Sequence, residues 1–143
     1  MPGMSETSVP RDLLEAALSV LNNAYAPYSK FRVASAIRDS KGRIFVGVNV
    51  ENSSYGLTVC AERVAVFSMV THGGRVAREV LVLAGDSEEP VPPCGACLQV
   101  LAEFADPETT IYMVSGVTGK HRVAQLRDLL PSAFRLDARR SKE

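Results

Sequence analysis

The 143-residue sequence has no tryptophan, only two histidines, only three cysteines and no surplus charge of either sign. Each scarcity excludes something. Sixteen Lys and Arg balance sixteen Asp and Glu, so nothing draws the chain as a whole toward phosphate backbones or anionic lipid. A groove for single strands would need basic and aromatic side chains in register. No tryptophan and no basic cluster outside the Arg139-Arg140-Ser141-Lys142 tail supply one, so a nucleic-acid partner is not expected. Three cysteines cannot pair off completely, which argues against a disulfide-stapled secreted domain. A Ser-His-Asp apparatus could draw only on His72 and His121, and His72 reads more simply as a cation at the negative end of a helix. The longest apolar runs, such as Val80–Ala84, fall far short of the roughly 18 to 20 residues that cross a bilayer, and residues 1–10 lack an apolar signal core. The expectation is a cytoplasmic protein with no membrane contact.

What is present is the composition of a globular chain with a real core: 46% hydrophobic against 22% charged. The length suits one domain, expected over 10–136, with solvated tails at 1–9 and 137–143. Leu13, Leu14, Ala17, Leu18 and Leu21 recur at three- and four-residue steps and predict a helix that starts at Ser8 or Pro10 and stops at Asn22-Asn23. Phe31–Ile37 and Arg43–Val50 read as a hairpin around Asp39-Ser40-Lys41-Gly42. A second helix runs from Cys60 to a Gly73-Gly74 stop, and Glu79–Gly85 reads as a strand covered on both faces. A third helix spans Cys94–Phe104. Strands at Thr109–Ser115 and Lys120–Ala124 and a short helix at Gln125–Leu130 complete the pattern. Strands alternating with helices predict βαβ crossovers and a mixed sheet between helical layers.

All three cysteines fall where a helix is expected to begin. Cys60 opens the second helix, and Cys94-Gly95-Ala96-Cys97 opens the third. Helix amino ends favour anions and lower a thiol's pKa, so two converging starts suit a soft cation, and zinc accepts three thiolates. Three protein ligands leave one position for water, which zinc acidifies toward about pH 7. Glu62, two residues after Cys60, stands in the first turn of the same helix, near enough to shuttle protons without ligating. Cys-x-Glu followed by Pro-Cys-x-x-Cys is the arrangement of zinc deaminases, with the glutamate as general acid and base. Three thiolates carry excess negative charge, and Arg63, beside Glu62, is the candidate to compensate it through hydrogen bonds to sulfur.

Together with Ala26-Pro27-Tyr28-Ser29-Lys30-Phe31, Asn49-Val50-Glu51-Asn52, Ser54-Tyr55-Gly56-Leu57 and Leu129-Leu130-Pro131-Ser132-Ala133-Phe134, this signature resembles the small zinc-dependent cytidine deaminases of free nucleosides, from about Ala26 to Phe134. The resemblance implies a three-layer α/β/α fold around a mixed five-stranded sheet. It further implies a homotetramer, one zinc per subunit, and hydrolysis of cytidine and deoxycytidine to uridine and deoxyuridine with release of ammonia, a reaction of pyrimidine salvage. By the same matching, Asn49 and Glu51 hold the ribose hydroxyls, Phe31 packs against the nucleoside and the Ala61 backbone reads the base. Tyr55 and Phe134 reach a neighbouring subunit's site, although Phe134 read alone is a core residue. Two departures stand out: Leu98 where the family commonly has Arg, and Ala34-Ser35 where it has Gly-Ala.

Two other readings compete. One is a deaminase of a related aminopyrimidine, such as an antibiotic of the blasticidin type. The other is a non-catalytic zinc module in which His72 or His121 supplies a fourth ligand. Gly116-Val117-Thr118-Gly119-Lys120-His121 has the wrong glycine spacing for a phosphate loop and reads as a hairpin turn, while Asn52-Ser53-Ser54 matches a glycosylation acceptor only formally.

Overall fold

The computed structural model describes residues 8–136. The tails expected at the two ends, the basic one included, lie outside those residues except for Ser8 and Val9, and Val9 packs against the apolar layer beneath the first helix. That helix, α1 (Arg11–Leu21), buries Leu13, Ala17 and Leu21 as its spacing predicts, and Pro10 at its start needs no donor N–H. The hairpin comes next as β1 (Val33–Asp39) and β2 (Ile44–Val48). Then come α2 (Ala61–Thr71), β3 (Ala77–Ala84), α3 (Gly95–Phe104), β4 (Ala105–Ser115), β5 (His121–Gln125) and the short α4 (Leu126–Leu129).

The five strands form one sheet in the order β2-β1-β3-β4-β5, with β3 and β4 parallel and the other neighbours antiparallel. Because β1 is antiparallel to both β2 and β3, those two run parallel across it, and α2 is the crossover between them. Strand alternation sorts the core into two layers. Ala34, Ala36, Leu81, Leu83, Tyr112 and Val114 face α1. Ile37, Val80, Val82, Ile111 and Met113 face α2 and α3. The expected three-layer α/β/α arrangement around a mixed five-stranded sheet is therefore present.

β4 starts four residues earlier than expected. The strand continues through Asp106-Pro107 by a register shift between the pairs Ala77–Ala105 and Glu79–Thr110. The Thr109 hydroxyl closes the irregularity, donating to the Ala77 carbonyl at 2.9 Å and accepting the Asp106 N–H at 3.0 Å. Both departures from the family pattern are core positions here. Leu98 is 6% exposed among the apolar residues beneath α3, and the buried Ser35 satisfies its hydroxyl by donating to the Leu81 carbonyl at 2.8 Å.

Two glycines set the length of α2 and its distance from the sheet. Gly73 takes φ +89° and stops α2 as expected, and Gly47 of β2 lies flat against α2. A Cβ at Gly47 would stand 2.6 Å from the Ala61 carbonyl oxygen, so only glycine lets the start of α2 approach the sheet this closely.

Candidate active site

Cys60 and Cys94 are the residues immediately before α2 and α3, both in extended backbone, and Cys97 lies in the first turn of α3. The two helices pack side by side on one face of the sheet, and this brings their starts together. The Cys60 and Cys94 sulfurs are 4.0 Å apart, those of Cys94 and Cys97 3.5 Å, and all three lie within 4.8 Å of one another. Sulfurs at tetrahedral corners about 2.3 Å from zinc would be about 3.8 Å apart, so the trio fits the ion in chemistry and in size. Hydrogen bonding from Cys97, opposed by burial and helped by Arg63, lowers the Cys60 thiol to about 5, while the same bond and burial push Cys97 up. One sulfur ionises more readily than an ordinary thiol while its neighbour holds its own proton. A divalent cation is what ionises the whole set.

Arg63 donates from Nη2 to the Cys60 sulfur at 3.5 Å, the compensating contact expected of it. Glu62, 4% exposed, is held by burial with its pKa raised to about 7, and the Cys60 charge adds to the shift. The Ala61 N–H, at the first position of α2, has no acceptor within the helix.

Four of these residues line one cavity of about 460 Å³. Cys60, Ala61, Glu62 and Cys94 form one end of it, Val82, Ala84, Val91 and Pro92 supply apolar wall, and Ser29, Phe31, Asn49, Glu51 and Thr58 line the rest. A second opening of about 370 Å³ shares Ser29, Glu51 and Thr58 and adds Tyr28 and Tyr55, whose rings meet edge to face at 6.1 Å. No basic side chain lines either space among the described residues.

Asn49 is 7% exposed and already half engaged: Oδ1 accepts the Val33 N–H at 3.0 Å and Nδ2 donates to the Phe31 carbonyl at 2.8 Å, which leaves one N–H and one lone pair. Glu51 takes backbone N–H groups of Tyr28 and Ser29 and the Ser29 hydroxyl, and these bonds hold its carboxyl below the usual carboxylate range. The sequence reading assigns Ser29 no role. Its signal was the local one, a serine two residues before a backbone N–H it can accept, here that of Phe31.

Not every expected residue gathers here. Tyr55 borders the outer opening and is 76% exposed, and Phe134 lines neither space. Read alone, Phe134 was a core residue; in this chain it is 67% exposed, held by its backbone carbonyl, which accepts from Gln99 at 2.9 Å. The zinc module closed by a histidine fails on distance. His72 comes after the last turn of α2, about 18 Å along the axis from Cys60, and its ring meets the Ser68 carbonyl. His121 borders a separate groove with Leu14 and Leu18 of α1. Residues 116–120 form the expected turn, closed by the Ser115 N–H donating to the Lys120 carbonyl at 2.9 Å.

Three sulfurs with room for one more ligand, beside a buried carboxylate in an apolar cavity, define the class: a zinc-dependent hydrolytic enzyme for a small polar substrate. The profile of the cytidine and deoxycytidylate deaminase zinc-binding region matches residues 7–113. A cytidine deaminase of Halalkalibacterium halodurans is 42% identical over 122 residues, 85% of this chain and 91% of that protein. One of Mycobacterium tuberculosis is 43% identical over 114 residues, 80% of each chain. The crystal structure of the Burkholderia pseudomallei cytidine deaminase superposes with a TM-score of 0.82 at 41% identity, covering 89% of this chain and all of that one. The chain belongs to the cytidine and deoxycytidylate deaminase family.

Proposed function

We propose that the protein deaminates free cytidine and 2′-deoxycytidine by hydrolysis, giving uridine and 2′-deoxyuridine with release of ammonia, as a step of pyrimidine salvage. The observation that carries the reading is the three-sulfur cluster and the buried Glu62 at one end of a single cavity, with Asn49 and Glu51 at the other. Cys60, Cys94 and Cys97 would hold the zinc, which would supply water acidified toward neutral pH. Glu62 accepts one proton from the attacking water and passes it to N3, then accepts the second from the new C4 hydroxyl and passes it to the departing amine, work suited to a carboxylate whose pKa burial has raised. On this reading the Ala61 N–H reads the base, Phe31 packs against the nucleoside, and Asn49 and Glu51 receive the sugar hydroxyls, all four lining the same cavity.

A lining with two carboxylates and no basic group favours a nucleoside over a phosphorylated or polymeric substrate. Three free thiols must stay reduced to hold zinc, which suits the cytoplasm, and no helix among the described residues is long and apolar enough to cross a membrane. We further propose a homotetramer in which Tyr55 and Phe134 complete a neighbour's site. The exposed Tyr25, Tyr28, Tyr55 and Leu57 supply apolar surface around an opening that a single subunit leaves uncovered. Light scattering with activity measured on the same samples tests the assembly, and a fully active monomer would overturn it.

Ultraviolet assays on cytidine, deoxycytidine, cytidine monophosphate, blasticidin S and a cytosine-bearing oligonucleotide test the substrate. Faster turnover of the first two is expected; preference for any of the others would overturn the assignment.

A further inference from the structure

Two residues read as substrate contacts, Phe31 against the nucleoside and Glu51 at the sugar, are joined by a third. The Ser29 hydroxyl donates to Oε2 of Glu51 and accepts the Phe31 N–H at 3.0 Å. Oε1 of Glu51 takes the N–H groups of Tyr28 and Ser29 at 3.0 and 3.1 Å, so the backbone uses both its lone pairs while Oε2 keeps one. Between Ser29 and Phe31 the chain turns through Lys30, the one non-glycine residue with positive φ among those described, at +62°, closed by its N–H donating to the Ala26 carbonyl at 3.0 Å. A left-handed lysine is held against its own preference only where the surroundings fix it, and such bends gather at binding sites.

We propose that Ser29 is a positioning residue for sugar recognition: it locks the Glu51 carboxylate and the Phe31 backbone into one hydrogen-bonded unit that leaves a single place on Oε2 for the sugar 3′-hydroxyl. Ser29 acts through Glu51, so the inference rests on Glu51 being the acceptor of that hydroxyl. Four charge-assisted bonds could converge on this carboxylate, three from the chain and one from the substrate, and the substrate's bond is strong only if the other three hold the group still.

The test is steady-state kinetics of the zinc-loaded full chain on cytidine and on 3′-deoxycytidine, which lacks the hydroxyl in question. Ser29→Ala is expected to raise KM for cytidine about tenfold with kcat within about twofold, the signature of lost ground-state binding. KM for 3′-deoxycytidine should move less than about twofold, and Ser29→Thr, which keeps the hydroxyl, should stay near the parent on both. An equal penalty on both substrates would reveal a merely structural serine and overturn the proposal, as would no penalty at all. Glu51→Ala separates the role of Ser29 from that of the carboxylate it holds. If it fails to discriminate between the substrates, the reading of Glu51 falls and the proposal with it; if it discriminates and Ser29→Ala does not, only the role of Ser29 falls.

Discussion

The cavity contains two carboxylates in opposite surroundings. Glu62, on the first turn of α2, is stripped of water, and its pKa rises to about 7. Glu51 sits on a loop at the junction of the two openings, receives two backbone N–H groups and a hydroxyl, and is held ionised below its ordinary range. The first environment makes a group that can pick up and release a proton near neutral pH. The second makes a fixed carboxylate that stays ionised at neutral pH. One residue type thus serves two purposes because burial dominates at one end and hydrogen bonding at the other.

The comparison can be broken from either end, and the effects should descend in a set order. Cys97→Ala removes a buried sulfur and should abolish both zinc binding, read by metal analysis, and measurable turnover of cytidine. Retained stoichiometric zinc with turnover would show that two thiolates suffice. Gly47→Ala acts on the same end from outside. A methyl group there meets the Ala61 carbonyl and must push α2, with Cys60 and Glu62 on it, away from the sheet. Chemical unfolding should show a loss of about 1–3 kcal/mol, accompanied by a fall in kcat, whereas unchanged stability would mean that α2 gives way freely. At the Glu51 end, Lys30→Gly should alter unfolding free energy by less than about 1 kcal/mol because glycine adopts φ +62° without strain, while Lys30→Val should cost about 1–3 kcal/mol. Equal behaviour of the two variants would show that the bend is not held by the fold.

The two ends also differed in how far they could be read beforehand. Cys60, Glu62, Cys94 and Cys97 lie within one turn of two helix starts, so spacing alone assembles the metal end once the helices are recognised. The crossovers, the hairpin and both layers of the core emerged from periodicity in the same way. Glu51 meets Ser29 across 22 residues of sequence, each on a loop flanking the hairpin, and no local rule announces that contact. Only the resemblance singled out Glu51 and Asn49, and neither route reached Ser29. Phe134 misled when read alone, because an aromatic after Leu-Leu-Pro carries no mark of which way it faces. β4 outran its expected start because the Thr109 hydroxyl ties the irregular stretch at Asp106-Pro107 to β3, a tertiary contact invisible in the local pattern.

The central claim is that Glu62 carries the protons while the sulfurs only hold the metal. Glu62→Gln keeps the side chain's size, leaves all three cysteines in place and removes the group that exchanges protons. Zinc content and cytidine turnover measured on one preparation decide the matter: the account predicts about one zinc per subunit and a kcat lowered by about 10²–10⁴-fold. Turnover within a few fold of the parent at full zinc occupancy would contradict it.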